Sequence, residues 1–232
     1  MLILIFIIIY ILYMIKKKNI FVLFFSFVLS INVALSENNN DKEMVRFVES
    51  KFYGYQKQIE GKNFDKKTKE QLLLDNYYNI FDFEWMAKMS IGLPYKSLSQ
   101  QQQKEYVIEF SKLFCYSWLP SFDYDKSSGI SVNILPQVQK INDKDAIVKI
   151  ELKAPDGKRY ELEIRVRDTG DPRGKYKILN LIIDGIDVAV SYRAQFNSYI
   201  EEHMNNADSI LVYLKKKNAD FSTRSKVVFP KN

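Results

Sequence analysis

One cysteine and one histidine among 232 residues close off several kinds of chemistry at once. Cys115 has no partner for an internal disulfide. It stands beside Phe114, Tyr116 and Trp118, the setting of a small core residue, and it does not follow the N-terminal apolar region as a lipoprotein acylation site would. His203 sits beside Glu201 and Glu202 and reads as a solvated surface residue. With these two donors in different segments, a transition-metal site built from nitrogen and sulfur lacks ligands. A Ser-His-Asp arrangement lacks the Gly-x-Ser-x-Gly elbow. The eight glycines form no phosphate-cradling loop, because Gly170 and Gly174 belong to a hairpin turn and not to a strand-to-helix junction. Asp123 and Asp125 form a conceivable acid–base pair, but a turn after Pro120 is where acidic residues collect anyway. No catalytic set emerges, so an enzyme is not expected, and neither is a cofactor or a metal.

Charge of one sign is also scarce. The formal net charge of +6 includes Lys16, Lys17 and Lys18, and falls to +3 without them. The other basic residues are scattered or terminal, with no aromatic–basic stripe of the kind that binds nucleic acid.

What the chain does have is apolar residues, 47% of the whole, with 14% aromatic. Two apolar runs, 1–15 and 20–35, flank the three lysines, and neither comfortably reaches the roughly 20 residues of a spanning helix. The second has the form of a secretory signal: a basic region at 16–18, an apolar region at 20–29, and small residues at Ala34 and Ser36 before Glu37. Residues 1–36 are therefore expected to be a signal peptide, with Met14 a candidate true start and 1–13 upstream sequence. An uncleaved anchor or helical hairpin is the alternative. Removal of the signal would leave a single domain over 37–214 and a basic flexible tail over 215–232.

Within that domain, Met44, Phe47, Val48, Phe52, Tyr55 and Ile59 recur at helical spacing from Lys42 onward. A second helix is predicted over 68–79 with a stripe of Leu72, Leu73, Tyr77 and Ile80. A third covers 82–90, with Phe83, Met86 and Ala87 inward, and stops at Gly92 before Pro94. Ser99 and Gln102 make a capping box. The helix they start carries Tyr106, Val107, Phe110, Leu113, Phe114, Ser117 and Trp118 until Pro120.

The period then changes to two. Strands are predicted over 130–135, over 145–153 and, past a turn at Pro155, Asp156 and Gly157, over the stretch where Leu162, Ile164 and Val166 alternate with Glu161, Glu163, Arg165 and Arg167. A loop over 168–174 leads to 176–196. There a β-branched strand meets Asp184-Gly185 and passes directly into a helix from about residue 190, making a corner between sheet and helix. A last short helix is predicted over 209–214. Helices followed by an antiparallel meander and more helices define an α+β domain, with one strand face in water and one covered by helices.

The stretch from Phe81 to about Leu214 resembles the MlaC family of periplasmic phospholipid-binding proteins, also known as toluene-tolerance proteins. The resemblance is carried by Phe81, Asp82 and Phe83 with Met86, by Ile91-Gly92, and by Ser99, its glutamine run and Phe110. Most specific are Gly174, Tyr176, Lys177 and Ile178, then Asp184, Gly185 and Ile186, then Tyr192, Arg193, Ala194, Gln195 and Phe196. Three positions depart from the family pattern. Tyr176 stands where Trp is usual, Asn180 where Asp is usual, and Asp187 where Ser is common, so the hydrogen bonds at the corner are in question.

The resemblance implies a cone-like, NTF2-like fold, a twisted antiparallel sheet packed against several helices with an apolar pocket between them. It implies a monomeric periplasmic carrier of phospholipid that maintains outer-membrane lipid asymmetry. The implied partners are an inner-membrane ABC transporter complex with an MCE-domain protein and an outer-membrane lipoprotein complex. The expected pocket lining is Val148, Ile150, Leu152, Leu162, Ile164 and Val166 from the strands. Phe83, Met86, Phe110, Phe114, Trp118 and Tyr192 are expected from the helices. Each of these is equally a candidate for ordinary core. Arg193 is a candidate for a phosphate contact or for an ion pair that fixes the corner. An NTF2-like enzyme and a binder of another apolar molecule remain the competing readings.

Overall fold

The computed structural model describes residues 39–118, 131–172, 174–223 and 227–229. The expected signal peptide, Asp123, Asp125, Pro120 and the side chain of Trp118 lie outside the described residues.

Helix starts are set by short polar side chains. Helix α1 (Asn39–Ile59) buries Met44, Val45, Val48, Tyr55 and Ile59 and begins three residues before Lys42. Asp65 accepts a hydrogen bond from Thr68 N at 2.7 Å and so caps α2 (Lys66–Ile80). The buried stripe of α2 is Leu73, Leu74, Tyr77 and Ile80; Leu72, expected inward, is only half-buried. Asp82 caps α3 (Phe83–Ile91) through Trp85 N at 2.9 Å. Gly92, at φ +66°, ends it and opens the 3₁₀ turn Leu93–Ser97. The capping box forms as predicted: Ser99 N donates to Gln102 Oε1 at 2.8 Å and Gln102 N to Ser99 Oγ at 3.3 Å, starting α4 (Gln100–Trp118).

The sheet is an antiparallel meander of five strands in sequence order: β1 (Ser131–Lys140), β2 (Asp145–Lys153), β3 (Arg159–Asp168), β4 (Tyr176–Ile183) and β5 (Ile186–Asp187). β1 runs five residues further than predicted. Pro136 does not stop it because β1 is an edge strand and the register shifts between Ile134 and Val138, where a missing N–H costs no ladder bond. The strand face expected in water is covered in part, since Asp145 and Ile147 are buried.

The corner differs from the direct strand-to-helix turn expected. Asp184 and Gly185 both have positive φ, 48° and 78°, the geometry of a tight hairpin turn. The chain therefore reverses on β4 as β5 before α5 (Val188–Glu202) begins. The Asp184 carboxylate accepts from Glu161 N at 2.8 Å, tying this turn to β3.

The final helix, α6 (Ser209–Ser222), corrects the expected tail. The predicted end at Leu214 is passed by two turns, with Asn218 buried and Phe221 stacked on Tyr116. Farther on, Phe229 meets the rings of Tyr116 and Tyr78.

Candidate functional site

Strand register places the six predicted sheet residues on one face. Across the sheet run the rows Val138–Val148–Ile164–Leu181 and Ile134–Ile150–Leu162–Ile183, flanked by Ala146–Val166–Ile178 and Val132–Leu152–Tyr160. Side chains in each row stand on the same side because strand alternation has period two.

The helices supply a continuous chain of rings. Phe83 meets Phe114 with centroids 5.7 Å apart, Phe114 meets Phe110 at 6.4 Å, and Phe110 meets Tyr192 at 5.4 Å. Tyr192 also lies 5.4 Å from Phe196 on α5. Met86 is buried in the same core, and the strand and ring sets belong to one contiguous apolar cluster. The structure thus brings together all the predicted residues except Trp118, whose side chain is outside the described set.

Hydroxyl groups in this layer satisfy one another. Ser90 Oγ and Tyr106 Oη are 2.6 Å apart, and Tyr78 Oη and Ser111 Oγ are 2.7 Å apart. Burial pushes the Tyr106 phenol up, and it pushes Tyr78 up to about 12, against the lowering effect of the Ser111 bond. Burial also raises the Cys115 thiol, which keeps it protonated and inert. These groups hold their protons near neutrality, so the layer offers apolar contact and paired hydroxyls.

Closure is uneven along the strands. Val148, Ile150 and Val166 at the centre are 0% exposed, so other protein atoms cover them completely. On the edge strand β1 and toward the β3 end of the β2–β3 hairpin, Val132, Ile134, Val138, Tyr160 and Leu162 are only half-buried, although their row partners Leu152, Ile150 and Ile183 on the same apolar face are buried. The sequence-based set included only Leu162 of these half-buried residues. The alternation of Val132 and Ile134 with Ser131 and Asn133 was the signal for two more.

The corner is held by hydrogen bonds that answer the three departures. Asp187 caps α5 through Val190 N at 2.9 Å, which is what a serine there would do. Asn180 Oδ1 accepts from Ala189 N at 3.2 Å, as an aspartate oxygen would. The Tyr176 hydroxyl points to Asn40 Oδ1 at 2.6 Å and Glu43 Oε2 at 2.8 Å, docking α1 on β4. Arg193 fixes the corner through a backbone carbonyl instead of the ion pair considered from sequence. Its Nε donates to Met89 O at 2.8 Å, closing the end of α3 against α5.

A family model described as MlaC protein matches residues 51–216, well over half of the chain. The chain belongs to the MlaC family. The match runs from within α1 to within α6, so the whole sheet and all the described corner residues fall inside the MlaC span. The solved structure of a phospholipid-binding protein from Ralstonia solanacearum, in complex with a phospholipid, is similar to this chain with a TM-score of 0.64 and 18% identity. The alignment covers 78% of this chain and 99% of that one. At that identity the likeness is one of fold, and it agrees with the α+β architecture of sheet and helices. No curated protein matches the chain.

Proposed function

We propose that this MlaC-family protein binds phospholipid, with the acyl chains between the apolar sheet face and the ring-bearing helices and the head group near solvent. It acts as an exported periplasmic carrier and not as an enzyme. It shuttles lipid between outer and inner membranes and maintains outer-membrane lipid asymmetry. Its partners are an inner-membrane ABC transporter complex with an MCE-domain protein and an outer-membrane lipoprotein complex. The observation that carries this reading is the single apolar face of β1–β4, fully covered at Val148, Ile150 and Val166 and only half-buried at Val132, Ile134, Tyr160 and Leu162, in a chain of this family. The Ralstonia solanacearum protein of the same fold was solved with a phospholipid bound. The lining is then Val148, Ile150, Leu152, Leu162, Ile164 and Val166 facing Phe83, Met86, Phe110, Phe114 and Tyr192, with entry at Leu162.

The energetics suit a shuttle. Burying a methylene is worth about 0.8 kcal/mol, so two acyl chains gain on the order of 20 kcal/mol gross. A bilayer offers nearly the same gain, so the net preference between carrier and membrane is small. Release into water is correspondingly slow, and transfer needs a membrane or a partner as acceptor.

Native mass spectrometry of protein purified without detergent tests this directly. The expected result is a co-purified mass equal to a diacyl phospholipid. Protein that is always empty and takes up no lipid from liposomes would overturn the proposal, as would a different apolar ligand recovered reproducibly.

A further inference from the structure

Residues 227–229 lie across the seam between α2 and α4, gripped through their backbone. Gln71 of α2 takes both polar groups of Val228: its Oε1 accepts from Val228 N at 2.8 Å, and its Nε2 donates to Val228 O at 2.9 Å. The same Nε2 donates to Asp75 Oδ1 at 3.0 Å, one turn further along α2, which orients the amide. On either side of Val228 the side chains turn inward. Val227 and Phe229 are half-buried against the core, whereas Val228 is 67% exposed. Phe229 fills the seam itself, edge-on to Tyr116 of α4 at 4.9 Å and to Tyr78 of α2 at 5.9 Å.

Behind this strap the rings continue into the proposed lining. Tyr78 meets Phe83 at 5.2 Å, and Phe83 meets Phe114. Beside them the Tyr78 and Ser111 hydroxyls bridge α2 to α4. Cys115, fully buried on α4, lies within electrostatic reach of the Tyr77 and Tyr78 phenols across the seam. Phe229 is thus the outer member of a series of rings that runs inward through Phe83 and Phe114 to Phe110 and Tyr192.

We infer that residues 227–229 are a latch on the helix layer: while Phe229 is seated α2 and α4 are held together, and its release loosens the layer that must yield for acyl chains to pass between helices and sheet. The strap can leave as a unit. The hydrogen bonds of Val228 go to one side chain and not to a helix or a sheet ladder, so release breaks two surface bonds and two ring contacts and leaves every element intact. Water replaces the two bonds at little net cost, so the seated ring is what holds the latch. The consequence for acyl chains rests on the phospholipid reading above, whereas the latch itself does not.

Alkylation of Cys115 by N-ethylmaleimide, followed by mass, reads the seam whether or not lipid is bound, because the chain has no other cysteine. Phe229→Ala and Gln71→Ala should each raise the rate about tenfold, the factor for losing one ring contact or a pair of hydrogen bonds. Val228→Ala, which keeps the backbone grip, should leave it unchanged. Tyr176→Phe loses the bonds to Asn40 and Glu43 on the α1 side and controls for general destabilisation; its rate should match that of the unaltered protein. Exchange of a fluorescent phospholipid with vesicles of phosphatidylethanolamine and phosphatidylglycerol should also quicken in Phe229→Ala and Gln71→Ala. Alkylation of those two variants at the unaltered rate overturns the latch, and so does an equal rise in Tyr176→Phe. Faster alkylation with unchanged lipid exchange overturns its role in loading. Protein that exchanges no lipid in any form counts against the carrier reading alone, and the alkylation rates then still decide the latch.

Discussion

Among the described residues Asp145 is the charged side chain buried deepest, with no exposed side-chain area. It is held by Arg167 through Nε at 2.7 Å and Nη2 at 2.9 Å, and by Arg165 Nη2 at 2.6 Å. Both guanidinium groups lie by the ring of Trp85, at 5.1 Å for Arg165 and 5.9 Å for Arg167, which joins β2 and β3 to α3. Burial alone raises the Asp145 carboxyl, but the hydrogen bonds from Arg167 and Arg165 outweigh it and hold the group at about 2 instead of 3.8. A folded-state value below the unfolded one stabilises the fold above pH 3.8, and that stability is lost as pH falls through about 2. Urea unfolding between those limits should therefore show a loss of about 2 kcal/mol from this group. Asp145→Asn should flatten that part of the profile and cost about 3 kcal/mol at neutral pH, because two guanidinium groups lose their counter-charge.

At the scale of elements, the start of α4 was readable because the Ser99–Gln102 box is a local signal whose geometry depends on a few consecutive residues, whereas the caps at Asp65 and Asp82, signals of the same local kind, went unused. β5 was not readable, since two residues carry no period, although the Asp184-Gly185 pair that forces the reversal was visible. The end of α6 was misjudged because Lys215, Lys216 and Lys217 look like a solvated tail. They instead form the outer face of a helix whose inner stripe continues through Leu211, Leu214, Asn218 and Phe221. Asn218 Nδ2 donates to the Glu109 carbonyl at 2.9 Å and carboxylate at 2.7 Å, clamping α6 to α4. Phe221→Ala should therefore destabilise the protein by about 2 kcal/mol, through lost burial and ring stacking. Lys216→Ala on the outer face should change it by less than about 0.5 kcal/mol. Chemical denaturation of the two variants separates a packed helix end from a tail, and equal midpoints would show that residues beyond Leu214 add nothing.

For the whole molecule, the residues of the proposed site were legible from sequence as two apolar surfaces, yet their division into wall and filler was not. Apolar alternation encodes which side of the sheet faces the helices, and it is the same code for a packed core and for a ligand wall. In this structure Val148, Ile150, Phe110 and Met86 have 0–1% exposure, so acyl chains can reach them only if the helix layer moves away from the sheet. The proposed entry lies instead at the half-buried Val132, Ile134, Tyr160 and Leu162, beside the buried Leu152 and Ile150. Substitutions at the two places should then separate. Phe110→Ala should cost about 4 kcal/mol of stability in the lipid-free protein, as for any fully packed ring. Leu162→Glu, on a partly exposed side chain, should cost less than that in the lipid-free protein. It should also remove the stabilisation that lipid provides. That stabilisation amounts to about 2.7 kcal/mol when free ligand is at 100 times its dissociation constant, and thermal unfolding with and without added phospholipid reads it. A lipid-induced rise in Tm that survives Leu162→Glu undiminished would place entry elsewhere and remove the hairpin end from the site.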